Sequence, residues 1–421
     1  MKNKFKGYFP SYEEIIKAKN ILKDIIYETP LQKNFILSEK YEASVFLKRE
    51  DLQIIRSYKI RGAYNKIKSL SHAELEKGIV CASAGNHAQG VAYSCNILKI
   101  HGKIYMPSTT PKQKVERVKM FGKKYIEIIL IGDTFDAVSY EAIKDCKKNK
   151  KIFIHPFDDI KIIEGQATVG VEILQQSISD IDYVFIPIGG GGLISGVGSH
   201  FQEFSPKTKI IGVEPQGAPS MSHSLKNGKI VELKTIDRFI DGASVKKVGK
   251  LNFNICNQIL FDIKTVPEGK VCTTILDLYN LEAIVAEPAG ALSIAALDFY
   301  SNEIKGKTIV CILSGGNNDI TRTEEIRERS LLYEEKKHYF IVKFPQRAGA
   351  LKEFVNNILG PKDDIAYFEY SKKTSKEEGP AVIGIELADK NEFSVLIGRM
   401  KKHKVHFQYL NKNPDLFRIL I

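Results

Sequence analysis

Short apolar runs alternate with helix-length segments from about residue 45 to about residue 313. The runs are apolar on both faces, as in parallel strands buried between two layers of helices. The predicted strands are 45–48, 78–82, 103–106, 125–130, 151–154, 183–188, 209–213 and 307–313. They are too many for one small sheet. We therefore predict two α/β units that share a cleft, where ligands commonly bind.

The hydrophobic pattern changes near residue 322. A highly charged segment with a sparse apolar stripe covers residues 322–337 and predicts a linking helix. Beyond it, predicted strands at 339–344, 365–370, 381–387 and 405–410 combine with predicted helices at 347–359 and 392–402. This order is βαββαβ, which predicts a small ferredoxin-like module over residues 338–421.

Length and cysteine usage limit the class of protein. The chain has 421 residues, enough for two or three domains. Its basic start lacks the apolar core of a secretory signal, and no apolar run has the length that spans a bilayer. Its six cysteines are scattered without a C-x-x-C pair. We therefore expect a cytoplasmic protein without a zinc site, a disulfide framework or a membrane partner.

The net charge of +12 raises the alternative of a basic RNA-binding protein. The lysines are spread along the whole chain, which favours a solvated basic surface over one phosphate-binding stripe. RNA-recognition domains share the βαββαβ order but carry stacking aromatic residues on their central strands. The segment "GPAVIGIEL" (379–387) has none, so we expect no nucleic-acid partner.

The run "PIGGGGLISG" (187–196) follows a predicted strand and opens a predicted helix. Consecutive glycines let several backbone N–H groups converge next to the positive end of a helix dipole, which predicts a phosphate or carboxylate site. No P-loop motif is present. A dinucleotide-binding site is a stronger alternative than a P-loop, because Glu214 ends the next strand, where an acid that binds ribose would lie. The G-x-G-x-x-G spacing fails, however, at 193–195.

Three further segments place chemistry at strand or helix ends. "SYKIRGA" (57–63) puts Lys59 after an aromatic residue at the start of a helix-like stretch. "CASAGNHAQG" (81–90) follows a strand and offers backbone amides and Asn86 to a carboxylate, although Asn86 could equally be an ordinary helix cap. "LSGGNND" (313–319) places Ser314 at the carboxyl end of a strand, where ligands bind in open α/β sheets.

Taken together and in their order along the chain, these four motifs resemble the threonine dehydratase (threonine deaminase) family, which uses pyridoxal 5'-phosphate. The resemblance implies the two-domain α/β architecture of pyridoxal-phosphate fold type II, similar to tryptophan synthase β. The catalytic region would cover residues 1–321, with a small domain at about 55–155 inserted in the large one. The segments "FIDGASVKKVG" (239–249) and "AEPAG" (286–290) also resemble family segments.

The resemblance implies a role for individual residues. Lys59 would be the catalytic residue and form the Schiff base with the cofactor, with Tyr58 beside it. The other implied cofactor-binding residues are Asn86 at the ring hydroxyl, Gly189, Gly190, Gly191, Gly192 and Leu193 at the phosphate, and Ser314 at the pyridine nitrogen. The implied substrate residues are Ser83, Gly85, His87, Gly242 and Glu287.

The implied reaction is deamination of L-threonine, and also of L-serine, with 2-oxobutanoate and ammonia formed from threonine for isoleucine biosynthesis. A serine dehydratase or racemase of the same fold is the alternative. Racemases of this fold usually carry a second serine where this chain has Ala84, which favours dehydration. Glu214 and Ala218 resemble part of a cation site in those relatives. Ser220 replaces the expected acid, so we predict no required metal.

The βαββαβ module resembles the ACT-like regulatory domain of biosynthetic threonine dehydratases. "FPQRAGALKEF" (344–354) matches the turn whose amides bind an amino-acid effector in such domains, with Ala348 in place of a frequent proline. The resemblance implies isoleucine as inhibitor, valine as its antagonist, and a homo-oligomer, either dimer or tetramer. A dimerisation module without a ligand is the alternative.

Overall fold

A computed structural model describes residues 6–370, 378–413, 416 and 417. The chain divides into two units, residues 1–319 and residues 320–421. The strands of the first unit are β1 (Leu31–Lys33), β2 (Ser44–Arg49), β3 (Ile79–Ala82), β4 (Gly102–Met106), β5 (Ile126–Leu130), β6 (Ile152–Phe153), β7 (Tyr183–Pro187), β8 (Lys209–Pro215), β9 (Asp262–Val266) and β10 (Thr308–Leu313).

Helices separate most of these strands. They are α1 (Tyr12–Leu22), α2 (Phe35–Tyr41), α3 (Lys59–Lys68), α4 (His72–Glu76), α5 (Asn86–Leu98), α6 (Lys112–Gly122), α7 (Phe135–Asn149), α8 (Ile160–Gln176), α9 (Gly192–Phe204), α10 (Ser220–Lys226), α11 (Lys250–Ile259), α12 (Glu268–Glu282) and α13 (Pro288–Ala295). Among the described residues, none of the helices is both long enough and apolar enough to cross a membrane.

The strands of the first unit form two sheets. One has six strands in the order β1-β2-β10-β7-β8-β9, parallel except for β1, and the other has four parallel strands in the order β5-β4-β3-β6. The eight predicted strands are confirmed, with ends that differ by one or two residues. The strands β1 and β9 were not predicted, because they are mostly exposed or half-buried and lack the continuous apolar run of their neighbours.

A buried ion cluster links β2, α3 and α8. The guanidinium of Arg61 donates to Glu50 at 2.7 and 2.8 Å and to Glu172 at 2.6 and 2.8 Å. The Lys48 ammonium also reaches Glu172, at 2.6 Å. Arg61, Glu50 and Lys48 have no exposed surface, and Glu172 is almost fully buried. Two positive and two negative charges therefore balance inside the protein, as buried charges require.

The second unit is an antiparallel sheet with two helices packed on it. Its elements are α14 (Thr323–Tyr333), β11 (Lys337–Pro345), α15 (Ala350–Ile358), β12 (Asp364–Tyr370), β13 (Glu378–Glu386), α16 (Glu392–Lys402) and β14 (His406–Tyr409). The sheet order is β12-β13-β11-β14. Alternate residues of β11, namely Phe340, Val342 and Phe344, share one core with α15 and α16. The ferredoxin-like order is thus confirmed, and α14 occupies most of the predicted linking segment.

We predict that Arg61→Met lowers the free energy of unfolding of the first unit by about 3–5 kcal/mol, because it leaves buried carboxylates without their partner. Lys68→Met, an exposed position on the same helix, is the matched control and should change stability by less than about 0.5 kcal/mol. Urea unfolding followed by circular dichroism measures both. Equal stability of the two variants would contradict the structural role given to the cluster.

Candidate active site

Every residue predicted for the site lines one cavity of about 470 Å³ in the first unit. The cavity lies where segments from both sheets meet. Residues 83–87 follow β3 of the four-stranded sheet, whereas residues 189–193 and Ser314 follow β7 and β10 of the six-stranded sheet. The carboxyl ends of parallel strands thus bring together motifs that are far apart in the chain.

Lys59 is the first residue of α3, and its side chain is half-buried. Its Nζ donates to the carbonyl oxygen of Pro156 at 2.9 Å and lies 5.4 Å from the centroid of the Tyr58 ring. Desolvation lowers the pKa of Lys59 to about 8, and the nearby Glu287 charge opposes this shift. A substantial fraction of the amine is therefore neutral near pH 8, as a nucleophile or a base must be.

The loop before Lys59 is hydrogen-bonded to the end of β10. The Tyr58 N–H donates to the Ser314 carbonyl oxygen at 3.2 Å, and Ser57 forms a β-bridge with Gly315. The Ser314 hydroxyl donates to the Ala289 carbonyl oxygen at 3.3 Å. These contacts hold the lysine and the strand-end serine on adjoining walls of the cavity.

The glycine run passes so close to its neighbours that side chains would collide there. A Cβ on Gly190 would lie 2.2 Å from the Phe157 ring, and one on Gly192 would lie 3.0 Å from the Phe157 carbonyl oxygen. Gly191 has φ +96°, which favours glycine. Helix α9 begins at Gly192, and no side chain caps its first turn. Its first N–H groups therefore remain available to an anion.

The segment between β6 and α8 connects the lysine with the glycine run, and the sequence motifs did not predict it. His155 Nδ1 accepts from the N–H groups of Phe157 and Asp158, at 3.2 and 2.7 Å. The Asn252 amide donates to the carbonyl oxygens of Gly190 and Phe157, at 2.9 and 3.1 Å. The turn "HPFDD" (155–159) was the available sequence signal, but its partner Asn252 lies almost a hundred residues later.

The predicted carboxylate loop retains backbone donors. Helix α5 begins at Asn86, and the preceding Gly85 provides no side-chain cap. The Gly85 N–H donates to the Ser83 hydroxyl at 3.2 Å. His87 Nε2 contacts the Ile154 carbonyl oxygen at 3.0 Å, and burial lowers the pKa of His87 to about 3. The imidazole is therefore neutral and already hydrogen-bonded to Ile154. His87 can thus contribute only its backbone N–H to a carboxylate site.

Asn86 and Glu287 meet across the cavity. Asn86 Nδ2 donates to Glu287 Oε1 at 2.6 Å. Burial raises the pKa of Glu287 to about 7, the Asp241 charge adds to this shift, and the hydrogen bond from Asn86 opposes it. Gly242 packs close by, where a Cβ would lie 2.8 Å from the Ala289 side chain. The carboxyl group of Glu287 thus changes charge near neutral pH.

Other polar groups of the cavity were not predicted. Ion pairs Lys114–Asp241 and Lys246–Asp136 join helices α6 and α7 to the segment 236–247, most of which lines the cavity. Thr110 and Ser244 also line the cavity, and their hydroxyl groups are buried without a hydrogen-bond partner in the described ranges. They are single residues in irregular segments, so no local pattern marks them.

Glu214, considered above as part of a cation site, is fully buried. Its carboxylate accepts from the N–H groups of Met221 and Ser222 at 2.6 and 2.8 Å. Burial raises the pKa of Glu214 to about 8. Over residues 6–370, 378–413, 416 and 417, no group of three or more His, Cys, Asp or Glu side chains could hold a metal ion. That no metal is required stays a prediction.

Comparisons with known proteins identify relatives over nearly the whole chain. Residues 22–315 match the family described as pyridoxal-phosphate dependent enzyme, and residues 328–420 match the C-terminal regulatory domain of threonine dehydratase. L-threonine dehydratase biosynthetic IlvA of Halalkalibacterium halodurans is 61% identical over 97% of this chain and 99% of that protein. The Bacillus subtilis protein of the same name is 56% identical over 97% of each.

A solved structure shows the same likeness. The processed form of threonine deaminase isoform 2 from Solanum lycopersicum matches with a TM-score of 0.72 and 39% sequence identity. The match covers 77% of this chain and 96% of that one.

We predict that Gly190→Ala weakens binding of pyridoxal phosphate by about 1–3 kcal/mol, because the new methyl group displaces the Phe157 ring. Absorbance titration of the cofactor measures the effect. Gly398→Ala is the control, since a Cβ there has no atom within 4 Å. Unchanged affinity in Gly190→Ala would mean that the glycine run does not bind the cofactor.

Proposed function

The chain belongs to the pyridoxal-phosphate-dependent enzymes and, within them, to the biosynthetic L-threonine dehydratases, and from this premise we propose that it deaminates L-threonine to 2-oxobutanoate and ammonia. The fold class predicted from the sequence is confirmed by the same matches. The observation that carries the proposal is the convergence of Lys59, the glycine run and Ser314 in one cavity. In this role the enzyme supplies 2-oxobutanoate to isoleucine biosynthesis.

The cavity suits pyridoxal phosphate because its anion site is formed by backbone alone. Gly190 and Gly192 pack against Phe157 without room for a side chain, so this wall of the cavity is backbone. Lys59 would hold the cofactor aldehyde through its amine. The amides of 189–193 would hold the phosphate, Asn86 the ring hydroxyl and Ser314 the ring nitrogen. When bound, the cofactor supplies an electron sink that stabilises the charge left on Cα after proton removal.

Lys59 Nζ would be free once the amino group of the substrate takes its place, and it is then the base that we assign to the Cα proton. Its lowered pKa keeps the neutral amine accessible near pH 8, and the Pro156 carbonyl oxygen accepts a hydrogen bond from it and orients the group. Loss of the Cα proton and the β-hydroxyl together removes one water. A later addition of water releases ammonia, so the products balance threonine.

Two wall residues favour elimination over competing reactions. Ser314 carries no charge, so it does not favour a protonated ring nitrogen as an aspartate would, which disfavours transamination. Ala84 lines the cavity and has no group that transfers a proton, which disfavours racemisation. L-serine also carries a β-hydroxyl, and we propose it as a second substrate. The backbone donors of 83–87 would orient the carboxylate of either amino acid.

The purified enzyme with pyridoxal phosphate should convert L-threonine to 2-oxobutanoate with a kcat that rises with pH through about 8. The sign follows from Lys59, because deprotonation produces the active base. Lys59→Ala should lose turnover and the visible absorption of the bound cofactor, whereas exposed Lys68→Ala should keep both. A colourless wild-type protein after cofactor addition, or one without threonine turnover, would contradict the proposal.

We further propose that isoleucine inhibits and valine antagonises through the second unit. A cavity of about 210 Å³ lies between β11, α15 and β14. Its apolar wall includes Val342, Phe344 and Ile358, which suit a branched aliphatic side chain. Glu353 and Asn357 lie on the same cavity and suit the charged groups of an amino acid. The cavity borders the turn at 345–350 that the sequence resemblance assigned to an effector.

We propose a homo-oligomer, dimer or tetramer, as the sequence resemblance implies. We also propose a cytoplasmic location. All six cysteines are buried and none forms a disulfide within the part of the chain that the structure describes, which suits a reducing compartment.

Ala350→Met should raise the isoleucine concentration needed for half-inhibition about tenfold or more, because the larger side chain fills the effector cavity. Lys352→Met changes an exposed residue of the same helix outside the cavity and should leave inhibition unchanged. Initial rates with threonine across an isoleucine titration measure both. Equal inhibition of the two variants would place the effector elsewhere.

A further inference from the structure

A chain of hydrogen bonds runs from helix α6 to the start of α13 through the candidate active site. Arg117 Nη1 donates to Asn317 Oδ1. Asn317 Nδ2 donates to Asn86 Oδ1 at 2.7 Å, and Asn86 Nδ2 donates to Glu287 Oε1 at 2.6 Å. Asn317 lies in the motif that supplied Ser314, but neither it nor Arg117 has so far been given a role.

Arg117 and Glu287, at the two ends of this hydrogen-bond chain, determine the orientation of the Asn317 and Asn86 side-chain amides. An arginine guanidinium can only donate, so Oδ1 of Asn317 must face Arg117 and its Nδ2 must face Asn86. The oxygen of Asn86 then faces Asn317, and its nitrogen faces Glu287 and the cavity. An ionised Glu287 enforces the same orientation from the other end. Glu287 becomes protonated near and below pH 7. There, Arg117 acting through Asn317 still enforces the orientation of the Asn86 amide.

The amide of Asn317 has no freedom to reverse without losing partners. Its second Nδ2 hydrogen donates to the Ile55 carbonyl oxygen at 2.8 Å, in the loop that leads to Lys59. Both hydrogens and the oxygen are therefore engaged. A reversed amide would place oxygen against the Ile55 and Asn86 oxygens and nitrogen against Arg117, leaving several groups unsatisfied.

We propose that Asn317 is a positioning residue that holds Asn86 with its nitrogen, and not its oxygen, directed at the ring oxygen of the cofactor. The inference rests on the proposed function, which takes Asn86 as a cofactor ligand. A reversed Asn86 would set its carbonyl oxygen against the ring oxygen, and two acceptors repel one another. Arg117 contributes by keeping Asn317 in the orientation that requires this arrangement.

Asn317→Asp tests the orientation with almost no change of shape. The aspartate sets an acceptor against Asn86 Oδ1. The Asn86 amide then reverses where Glu287 is protonated, and where Glu287 is ionised Asn86 lies between two acceptors and its oxygen opposes one of them in either orientation. The dissociation constant for pyridoxal phosphate should rise about tenfold, as expected for loss of one hydrogen bond. The absorption maximum of the bound cofactor and its pH dependence should also shift. Asn20→Asp, which adds the same charge at an exposed residue of α1, should keep the wild-type affinity and spectrum.

A double-mutant cycle with Asn86→Ala separates positioning from general structural damage. Once Asn86 is removed, Asn317→Asp should change cofactor affinity less than twofold, because nothing remains to be oriented. If the two substitutions act independently, so that their effects multiply, the inference is overturned. It is also overturned if Asn317→Asp keeps wild-type affinity and spectrum, or if Asn86→Ala alone has no effect. Asn317→Ala, which adds no charge, repeats the cycle should the aspartate variant fold poorly.

The proposed substrate is tested separately. Threonine turnover by the wild type without coupling between residues 86 and 317 would overturn the positioning role alone. Coupling without threonine turnover would overturn the proposed reaction and leave the positioning role intact.

Discussion

The position of Lys59 depends on a buried ion cluster on the opposite side of its helix. Lys59 and Arg61 are two residues apart in the first turn of α3, so their side chains leave the helix in nearly opposite directions. Lys59 faces the cavity, whereas Arg61 is enclosed with Glu50 and Glu172. The cluster is worth little as a source of net stability. Its effect is to allow one arrangement of these elements, because any shift would leave a charge unpaired.

The same cluster sets the relation between the two loops that meet at the lysine. Glu172 belongs to α8, and α8 follows directly the segment that contributes Pro156 and Phe157. Helices α3 and α8 pack so closely that a Cβ on Gly62 or on Gly165 would lie within 2.4–2.6 Å of the other helix. A shift of α3 along α8 would therefore move Lys59 away from Pro156 and from the glycine run. The ion cluster and the glycine contact together fix this register.

Much of the fold could be predicted because buried parallel strands leave a local signal. Strands such as 183–187 are apolar at every position, whereas the exposed edge strand β1 and the half-buried β9 lack that signal. The motifs containing Lys59, Asn86 and Ser314 each follow a strand or open a helix, and their joint resemblance to the threonine dehydratase family implied the roles of these residues. The residues that hydrogen-bond to these motifs were not predicted. Contacts such as Asn252 with Gly190 or Asn317 with Asn86 join residues many positions apart, and nothing near either residue marks the pair. No local pattern marks Arg61 as buried, because burial of a charge becomes visible only with its partners Glu50 and Glu172 in place.

Among the many lysines of this chain, Lys59 is the one that we propose to be bonded to the cofactor. Borohydride reduction of the enzyme loaded with pyridoxal phosphate makes that bond permanent, and peptide mass spectrometry then locates it. A single modified peptide that contains Lys59 is the predicted result. Modification of another lysine in its place, or no modification after loading, would contradict the assignment of Lys59 and the active site built around it.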